Sequence, residues 1–262
     1  MSNNPWGLSN YFGPIPDSPF FETLLKDLDR PMDAISRIRP GIEQFFVGRN
    51  SQGVLRAHRC ADLPEMGYQQ EHTQQLGEDF VDLEFNIFIG VGTVVEAGAM
   101  IKPNSVIESG CQIRQGAYIR GDFYAAEGSV IGHTTEVKNT VFFNHVEAGH
   151  FTYVGDSLIG ANSNLGAGTK VSNLEFRSFE QKQKEIFPEM FLPFEGENLA
   201  TGLSKFGAVL GEGTETGCNS VISPLVLLGR DSWVLPNLCL PKGVYLPESK
   251  IYSYQSAKAL RL

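Results

Sequence analysis

The chain has 262 residues, of which 42% are hydrophobic and 19% charged, and this suits one large globular domain or a domain with an appendage. A net charge of −9 argues against a general nucleic-acid-binding surface, so an anionic ligand needs a local group of cations. No apolar run reaches the roughly 18 residues of a membrane span, the N-terminus does not resemble a signal peptide, and four widely spaced cysteines predict reduced thiols in the cytoplasm.

Residues 1–82 lack the repeat that follows and are predicted to form a partly helical N-terminal segment. Asp17 or Ser18 can cap a helix through FFETLLKDLDR, and Pro31 can open a second helix through PMDAISRIRPGIEQFF. The second helix would carry four apolar side chains on one face: Met32, Ile35, Ile38 and Ile42. We expect this segment to pack on the first coils of the repeat region.

From Ile89 the sequence falls into sixes, which begin IGVGTV, VEAGAM, IKPNSV and IESGCQ. The first positions are Ile89, Val95, Ile101, Ile107, Ile113, Ile119, Ala125, Ile131 and Val137. A period of six fits a short strand and a turn, and three such sides close a triangular coil with the first positions stacked inside. The sequence therefore predicts an all-β fold, a left-handed parallel β-helix over residues 83–262.

The fourth position of each six supports the same fold. It is occupied by Gly92, Gly98, Asn104, Gly110, Gly116, Asp122, Gly128 and Thr134. All but the last are residue types that tolerate a left-handed backbone at a turn. The pattern lapses near residues 143–150, resumes at Tyr153, and is interrupted again at 177–203 before it returns at Leu210. A long insertion inside a repeat protein is typically functional, and its many apolar residues predict that it packs against the body.

Three cations are spaced by the length of one coil: Lys102, Arg120 and Lys138. Residues 18 apart lie on successive coils about 5 Å apart, so these side chains form a column. Neighbouring charges would repel by roughly 3 kcal/mol at an effective dielectric constant near 20. Such a column is either solvated or neutralised by an anion, and arginine and lysine suit a phosphate.

Three further candidates follow the column along the chain. His150 is a candidate general base, because imidazole ordinarily titrates near neutral pH. Tyr153 could bind a substrate oxygen or a phosphate, and Asn164 could line the same site. A structural histidine and residues packed at a coil corner are the alternatives for these positions.

The stretch EVKNTVFFNHVEAGHFTYVGDSLIGANSNLGAGTKVSN resembles the acetyltransferase domain of the bifunctional bacterial enzyme that makes UDP-N-acetylglucosamine. The similarity extends over about residues 85–250 and implies N-acetyl transfer from acetyl-CoA to glucosamine-1-phosphate or a related amino sugar phosphate. It implies His150 as the catalytic base. The substrate ligands that it implies are Arg120, Lys138, Tyr153, Asn164 and Lys205, and the CoA contacts are Ala167 and Cys218.

The resemblance also implies a homotrimer with acetyl-CoA as co-substrate and no metal requirement, while the net charge and the lack of a long apolar run predict neither nucleic acid nor membrane as a partner. Three departures matter. The nucleotidyltransferase domain has no counterpart in the residues before the repeat, a serine of the family is replaced at Cys218, and an Asn-Tyr pair is Asn173-Leu174 here.

Two alternatives of other classes stay open. A non-catalytic protein that binds a sugar nucleotide or a partner would explain the departures from the enzyme. A metalloenzyme resembling the γ-class carbonic anhydrases would use the pair His145 and His150; its third ligand must come from a distant coil, whereas His133 lies only 12 residues before His145, two sides of one triangle away.

Overall fold

The sixes fold into a parallel β-solenoid in a computed structural model, which describes residues 6–60 and 67–252. Each coil adds one short strand to each of three faces, and strands of successive coils pair in parallel. The arrangement confirms the predicted fold class and fits a left-handed β-helix. The last ten residues of the predicted domain lie outside the described residues.

Three lists of strands define the faces. Face A consists of Ile87–Ile89, Ser105–Ile107, Phe123–Ala125, the second halves of Glu136–Phe142 and Tyr153–Ile159, Ala208–Leu210, Val226–Leu228 and Gly243–Tyr245. Face B consists of Val94–Val95, Gln112–Ile113, Val130–His133, Glu147–His150, Asn164–Leu165, Glu215–Thr216, Trp233–Val234 and Lys250–Ile251. Face C consists of Met100–Ile101, Tyr118–Ile119, the first halves of Glu136–Phe142 and Tyr153–Ile159, Lys170–Val171, Val221–Ile222 and Cys239–Leu240.

The interior of the solenoid is built as the repeat predicts. Every first-position residue from Ile89 to Val137 is buried in one continuous core. Every fourth-position residue from Gly92 to Thr134 has a positive φ, between 49° and 85°, and Thr134 follows the others at 50°. The corners of each coil are therefore made by left-handed residues, which are mostly the types that lose least by adopting that backbone.

The irregularity in the length of the coils does not lie near residues 143–150, where the sequence pattern lapses. Val137 pairs with Ile119, eighteen positions earlier, whereas Val154 pairs with Val137, only seventeen earlier. The missing residue comes from the corner between faces C and A, where the strands Glu136–Phe142 and Tyr153–Ile159 run on from one face to the next. His150 lies between these two shortened sides, on a side of ordinary length.

The N-terminal segment contains two α-helices joined to 3-10 turns. Helix α1 spans Pro19–Leu25, with Ser18 as its N-cap, and helix α2 spans Ile38–Phe46. The second predicted helix begins at Pro31 as expected, but its first part, Pro31–Arg37, is a 3-10 helix. Another 3-10 turn is Leu8–Asn10. The four residues predicted to share one face, Met32, Ile35, Ile38 and Ile42, are all buried.

The segment packs on the first coils as expected, and its contacts also extend along face A as far as Arg230. The outward side chains of face A form a buried apolar column: Phe88, Val106, Tyr124, Val141, Leu158, Val209 and Leu227. Phe45 contacts Phe88 near the start of the solenoid, with ring centroids 5.0 Å apart. At the other end, the backbone N–H of Arg230 donates to the carbonyl of Asn10 at 2.9 Å. The apolar column explains why the segment extends so far, because the outward side chains of face A would otherwise be exposed to water.

Four short strands lie between the helices and the first coil: Ala57–Arg59, Tyr68–Gln70, Gln74–Gln75 and Phe80–Asp82. Three of them pair antiparallel with strands of the first coil. They cover the open end of the core, because the inward residues of the first coil have no preceding coil to stack on.

The insertion leaves the solenoid after Val171 and returns at Ala208, again at the corner between faces C and A. It contains helix α3, Phe179–Gln183, and an antiparallel hairpin of Phe191–Phe194 and Glu197–Ala200. As expected for part of it, Met190 and Leu192 are buried against the body. Phe206 near its end is buried as well, whereas five of its other large apolar residues are exposed: Phe176, Phe179, Ile186, Phe187 and Phe191.

Across residues 6–60 and 67–252, none of the helices has the length and apolar character needed to cross a membrane. All four cysteines are free thiols, with Cys60 and Cys111 buried and Cys218 and Cys239 exposed.

The packing of α1 on face A yields a stability prediction. Phe20 is fully buried and stacks on Tyr124 with ring centroids 3.7 Å apart. We expect Phe20→Ala to lower the free energy of unfolding by about 3–5 kcal/mol, because the smaller side chain leaves a cavity. Denaturant unfolding measures this change. The matched control is Phe179→Ala, which removes a side chain that is 76% exposed and should change the free energy by less than about 0.5 kcal/mol. Equal stability of the two variants would contradict the packing.

Candidate functional site

The edge between faces B and C carries the predicted catalytic histidine. His150 ends the strand Glu147–His150 and is exposed. Its carbonyl accepts from the N–H of Gly168 at 3.0 Å, and the carbonyl of Ala167 accepts from Asn219 at 2.8 Å. His150, Ala167 and Cys218 therefore occupy the same place on three successive coils. The structure brings the predicted base and both predicted CoA contacts into one column along this edge.

Phe151 lies beside the histidine and was not identified from the sequence. Its φ is 35°, although it is neither glycine nor an Asx residue, and its side chain is 51% exposed. The ring lies over Gly168, where an added methyl group would come within 2.8 Å of a ring carbon. The positive φ places Phe151 at the turn that follows the strand of His150, so its ring lies beside the column of His150, Ala167 and Cys218.

The predicted cation column exists on the neighbouring face. Ile101, Ile119 and Val137 are direct strand partners, so the cation that follows each of them is stacked on the next. Each cation already has a partner in the chain. The Lys102 ammonium lies 4.9 Å from the centroid of the Tyr118 ring, and the Arg120 guanidinium is 2.7 Å from a Glu136 oxygen.

Lys138, the third member, is 3.6 Å from a carboxylate oxygen of Asp156. The mutual repulsion of the column is thus offset by acidic and aromatic neighbours, which the 18-residue spacing alone did not reveal. Glu136 is on the surface, with a side chain 36% exposed, whereas the side chain of Asp156 is only 7% exposed. The Glu136 carboxylate is thus accessible to solvent, and that of Asp156 is buried.

Tyr153 joins the same cluster by hydrogen bonds. Its hydroxyl donates to Oδ1 of Asn173 at 3.3 Å, and Nδ2 of Asn173 donates to Asp156. Burial raises the pKa of the Tyr153 phenol, and the nearby Asp156 carboxylate raises it further. The phenol therefore stays protonated at neutral pH and can donate a hydrogen bond to a phosphate or sugar oxygen.

Two predicted substrate ligands lie away from this cluster. Asn164 is on face B, where it is the strand partner of Glu147 and donates to Glu215 at 3.0 Å. Lys205 is in the returning arm of the insertion, and its ammonium lies 4.4 Å from the centroid of the Phe187 ring. No contact joins Lys205 to Arg120 or Lys138. Asn164 remains one coil beyond the strand that ends at His150, close to that edge of the solenoid.

The histidines of the metalloenzyme alternative lie at different corners. His133 and His150 are strand partners at the edge between faces B and C, whereas His145 has a φ of 57° at the corner between faces A and B. In the part of a single chain that the structure describes, no three histidine, cysteine, aspartate or glutamate side chains are grouped to hold a metal ion.

Comparisons with known proteins give one consistent result. The chain is 34% identical over 173 residues to a protein of Methanococcus aeolicus named bifunctional protein GlmU, and the match covers 64% of this chain and 39% of that protein. It is 33% identical over 174 residues to a bifunctional sugar-1-phosphate nucleotidylyltransferase/acetyltransferase of Sulfurisphaera tokodaii, with 66% and 41% covered. No protein-family model matches the chain.

A shorter match has a higher identity. A GlmU protein of Wigglesworthia glossinidia brevipalpis is 39% identical over 85 residues, which is 32% of this chain and 18% of that protein. The aligned part of this chain spans about two fifths of the first two relatives, as one domain of a bifunctional protein would. The resemblance to the acetyltransferase domain is thereby confirmed.

The electrostatics of the cluster predict the titration of Tyr153. In an ultraviolet difference titration between the wild-type chain and Tyr153→Phe, we expect the phenolate signal to be centred above pH 10, the ordinary pKa of a tyrosine. Because the folded-state pKa is raised, Tyr153 contributes stability that is fully present below pH 10 and is lost as the pH rises through the folded-state value. Circular dichroism at each pH shows that the protein is still folded. A difference signal centred at or below pH 10 would show that the phenol is neither buried nor near Asp156.

Proposed function

We propose that this relative of the bifunctional GlmU proteins is a CoA-dependent acyltransferase that acetylates the amine of a phosphorylated amino sugar, with glucosamine-1-phosphate as the first candidate acceptor. One observation carries the proposal. An exposed imidazole, that of His150, stands at an edge of the solenoid beside a face that presents two cations, Arg120 and Lys138, and a protonated phenol, Tyr153.

The proposed phosphate site consists of Arg120, Lys138 and Tyr153. A guanidinium can bind two phosphate oxygens in parallel, an ammonium adds a point charge, and the phenol adds a neutral donor. In a chain with a net charge of −9, a local cluster of this kind is the arrangement that an anionic substrate needs. A phosphate would replace Glu136 as the partner of Arg120, since both partners of that ion pair are partly exposed.

In the proposed reaction, the acceptor amine attacks the thioester carbonyl of acetyl-CoA while His150 removes a proton from the nitrogen. A new C–N bond forms, the C–S bond breaks, and CoA leaves with a proton as the free thiol. Backbone N–H groups at a corner of the solenoid stabilise the oxyanion of the tetrahedral intermediate. Both substrates are held together, which removes the entropic cost of their encounter from the chemical step. The chemistry requires no metal.

We propose that acetyl-CoA lies along the edge that contains His150, in contact with Ala167 and Cys218, which follow the histidine in the same column. Asn164 would contact the sugar from the neighbouring face, and Lys205 would join the site through the insertion of a neighbouring copy or by a shift of its own arm. The exposed thiol at Cys218 stands where the resembled enzymes have a serine hydroxyl, so the contact keeps a small side chain but loses a strong hydrogen-bond donor.

We also propose a homotrimer with its sites between the subunits. The N-terminal segment covers face A, which leaves faces B and C for contact between copies. Trp233, Leu235 and Val221 supply apolar surface there, and they are 52%, 43% and 37% exposed. A closed ring of three chains would bury these apolar surfaces in one repeated interface. The free thiols favour a cytoplasmic protein, since that compartment keeps cysteines reduced.

The role of His150 predicts a selective loss of activity. We expect His150→Asn to lower kcat for acetyl transfer at least about 100-fold, because general-base catalysis contributes factors of this size. Release of the CoA thiol measures the rate. His145→Asn is the matched control, since asparagine accepts the left-handed φ of 57° at that corner and His145 is remote from the proposed site. Near-normal turnover of His150→Asn would exclude the histidine as the base.

The phosphate site predicts the order of acceptors. With acetyl-CoA present, we expect kcat/KM for glucosamine-1-phosphate to exceed that for glucosamine by at least about 100-fold, because two or more charge-assisted hydrogen bonds are lost with the phosphate. Thiol release and mass spectrometry of the sugar product check this. If no amino sugar releases thiol but sugar phosphates bind, the chain is the non-catalytic sugar-binding protein. Stoichiometric zinc in the purified protein would favour the metalloenzyme.

A further inference from the structure

A buried carboxylate lies directly behind the proposed phosphate-binding side chains. Asp156 occupies the corner between faces C and A, has a φ of 50°, and is 5% exposed. It is the second of two successive corners that lack one residue of the repeat, and the first is at Asn139. The two corners stack on each other, and Nδ2 of Asn139 donates to Oδ1 of Asp156 at 2.7 Å.

The other carboxylate oxygen faces the proposed site. Oδ2 of Asp156 accepts a hydrogen bond from Asn173 and lies 3.6 Å from the ammonium of Lys138. Asn173 accepts, through its own Oδ1, the hydrogen bond from the Tyr153 hydroxyl. The Asp156 carboxylate thus contacts Lys138 directly and is linked to Tyr153 through the side chain of Asn173.

We propose that Asp156 is a positioning residue, which fixes the Lys138 ammonium and, through Asn173, the Tyr153 hydroxyl in the geometry that receives the phosphate of the acceptor. The inference rests on the proposed function and deepens it. It assigns the fixed positions of the phosphate-binding side chains to a residue that need not touch the substrate.

The backbone alone does not require an aspartate at this corner. The preceding corners of the same edge are formed by Asn86, Asn104, Asp122 and Asn139, all with φ between 44° and 57°. Asparagine would therefore satisfy the turn at position 156. A carboxylate differs because it accepts hydrogen bonds from every side, whereas an asparagine amide would point its own N–H groups at Asn139, Asn173 or Lys138.

The other aspartate of this edge provides a comparison. Asp122 pairs with Arg39 of the N-terminal segment at 2.8 Å, and the arginine side chain is 59% exposed. Its charge serves a surface contact between the segment and the solenoid. The hydrogen bonds and the ion pair of the Asp156 side chain are instead with Asn139, Asn173 and Lys138, so its negative charge is directed at the cluster.

A simpler role for Asp156 predicts the opposite sign. If Asp156 were only a counter-ion for Lys138, its carboxylate would compete with the phosphate, and removing its charge would strengthen binding. If it positions the ligands, removing its charge leaves the long Lys138 side chain free to move, and the entropy of ordering it is then lost on binding. The sign of the change in sugar-phosphate affinity separates the two roles.

The experiment compares Asp156→Asn with Asp122→Asn, which have the same chemical change at equivalent corners. For Asp156→Asn we expect KM for glucosamine-1-phosphate to rise at least about tenfold, as for a lost charged hydrogen bond. The KM for acetyl-CoA should stay within about twofold. Asp122→Asn should leave both constants unchanged. An unchanged or lower KM for the sugar phosphate in Asp156→Asn overturns the inference.

Calorimetric binding of glucosamine-1-phosphate gives a readout that is independent of turnover. If the wild-type chain binds the sugar phosphate without acetylating it, the proposed enzyme fails, and Asp156→Asn must still weaken binding for the inference to stand. If the wild-type chain does not bind the sugar phosphate, both fail. A second variant, Asn173→Ala, keeps the Asp156 carboxylate with its contacts to Asn139 and Lys138 and should weaken binding by a smaller factor, because Lys138 is still held.

A double-mutant cycle with Lys138→Met tests whether Asp156 acts through the lysine. In that background we expect Asp156→Asn to add less than about threefold to the loss of affinity, because the main group that it positions is already absent. Fully additive losses would show that Asp156 does not act through Lys138. Circular dichroism and thermal unfolding of each variant show that the compared proteins are folded.

Discussion

The solenoid depends on a steric constraint at its corners, where the backbone must pass through the left-handed region that most residues avoid. Glycine, asparagine and aspartate adopt it at least cost, and their spacing along the chain sets the length of each side. The lengths of the sides decide which residues stack on which. Residues 17, 18 or 51 positions apart in sequence therefore become neighbours across one strand spacing, as Glu147, Asn164 and Glu215 do. The spacing of the corners therefore determines both the core and the candidate site.

The three faces have different environments, and these place the chemistry. Face A is apolar on both sides and is covered by the N-terminal segment, in the way that a parallel sheet is covered by helices in other folds. Faces B and C present polar side chains, and their shared edge carries His150. The corner between faces C and A contains both shortened turns and the point at which the insertion leaves. Departures from regular geometry are concentrated beside the proposed phosphate ligands.

The sequence was sufficient for the core and insufficient for the surface. Aliphatic first positions and left-handed fourth positions predicted the fold, and the spacing of Lys102, Arg120 and Lys138 predicted a real column, because these features depend on one constant period. The extent of the cover on face A was missed, although Phe88, Val106 and Tyr124 repeat an outward apolar residue once per coil. The role of Asp156 could not be predicted, since a corner shorter by one residue changes which side chains meet. The role of Glu136 could not be predicted either, since the spacing of the cations does not show which acidic side chain pairs with Arg120. Lys205 could not be placed, since its position depends on the path of the insertion.

The N-terminal segment joins coils that a plain solenoid leaves independent. In repeat proteins each unit contacts only its neighbours, so the ends can open separately and unfolding can proceed unit by unit. Here the segment contacts the first coils through Phe45, crosses the middle through Phe20, and hydrogen-bonds near the other end at Glu212 and Arg230. Opening of a terminal coil therefore also disrupts contacts made by distant ones. The chain is expected to lose its structure as a single cooperative unit, and the edge that carries His150 remains assembled as long as any of the solenoid does.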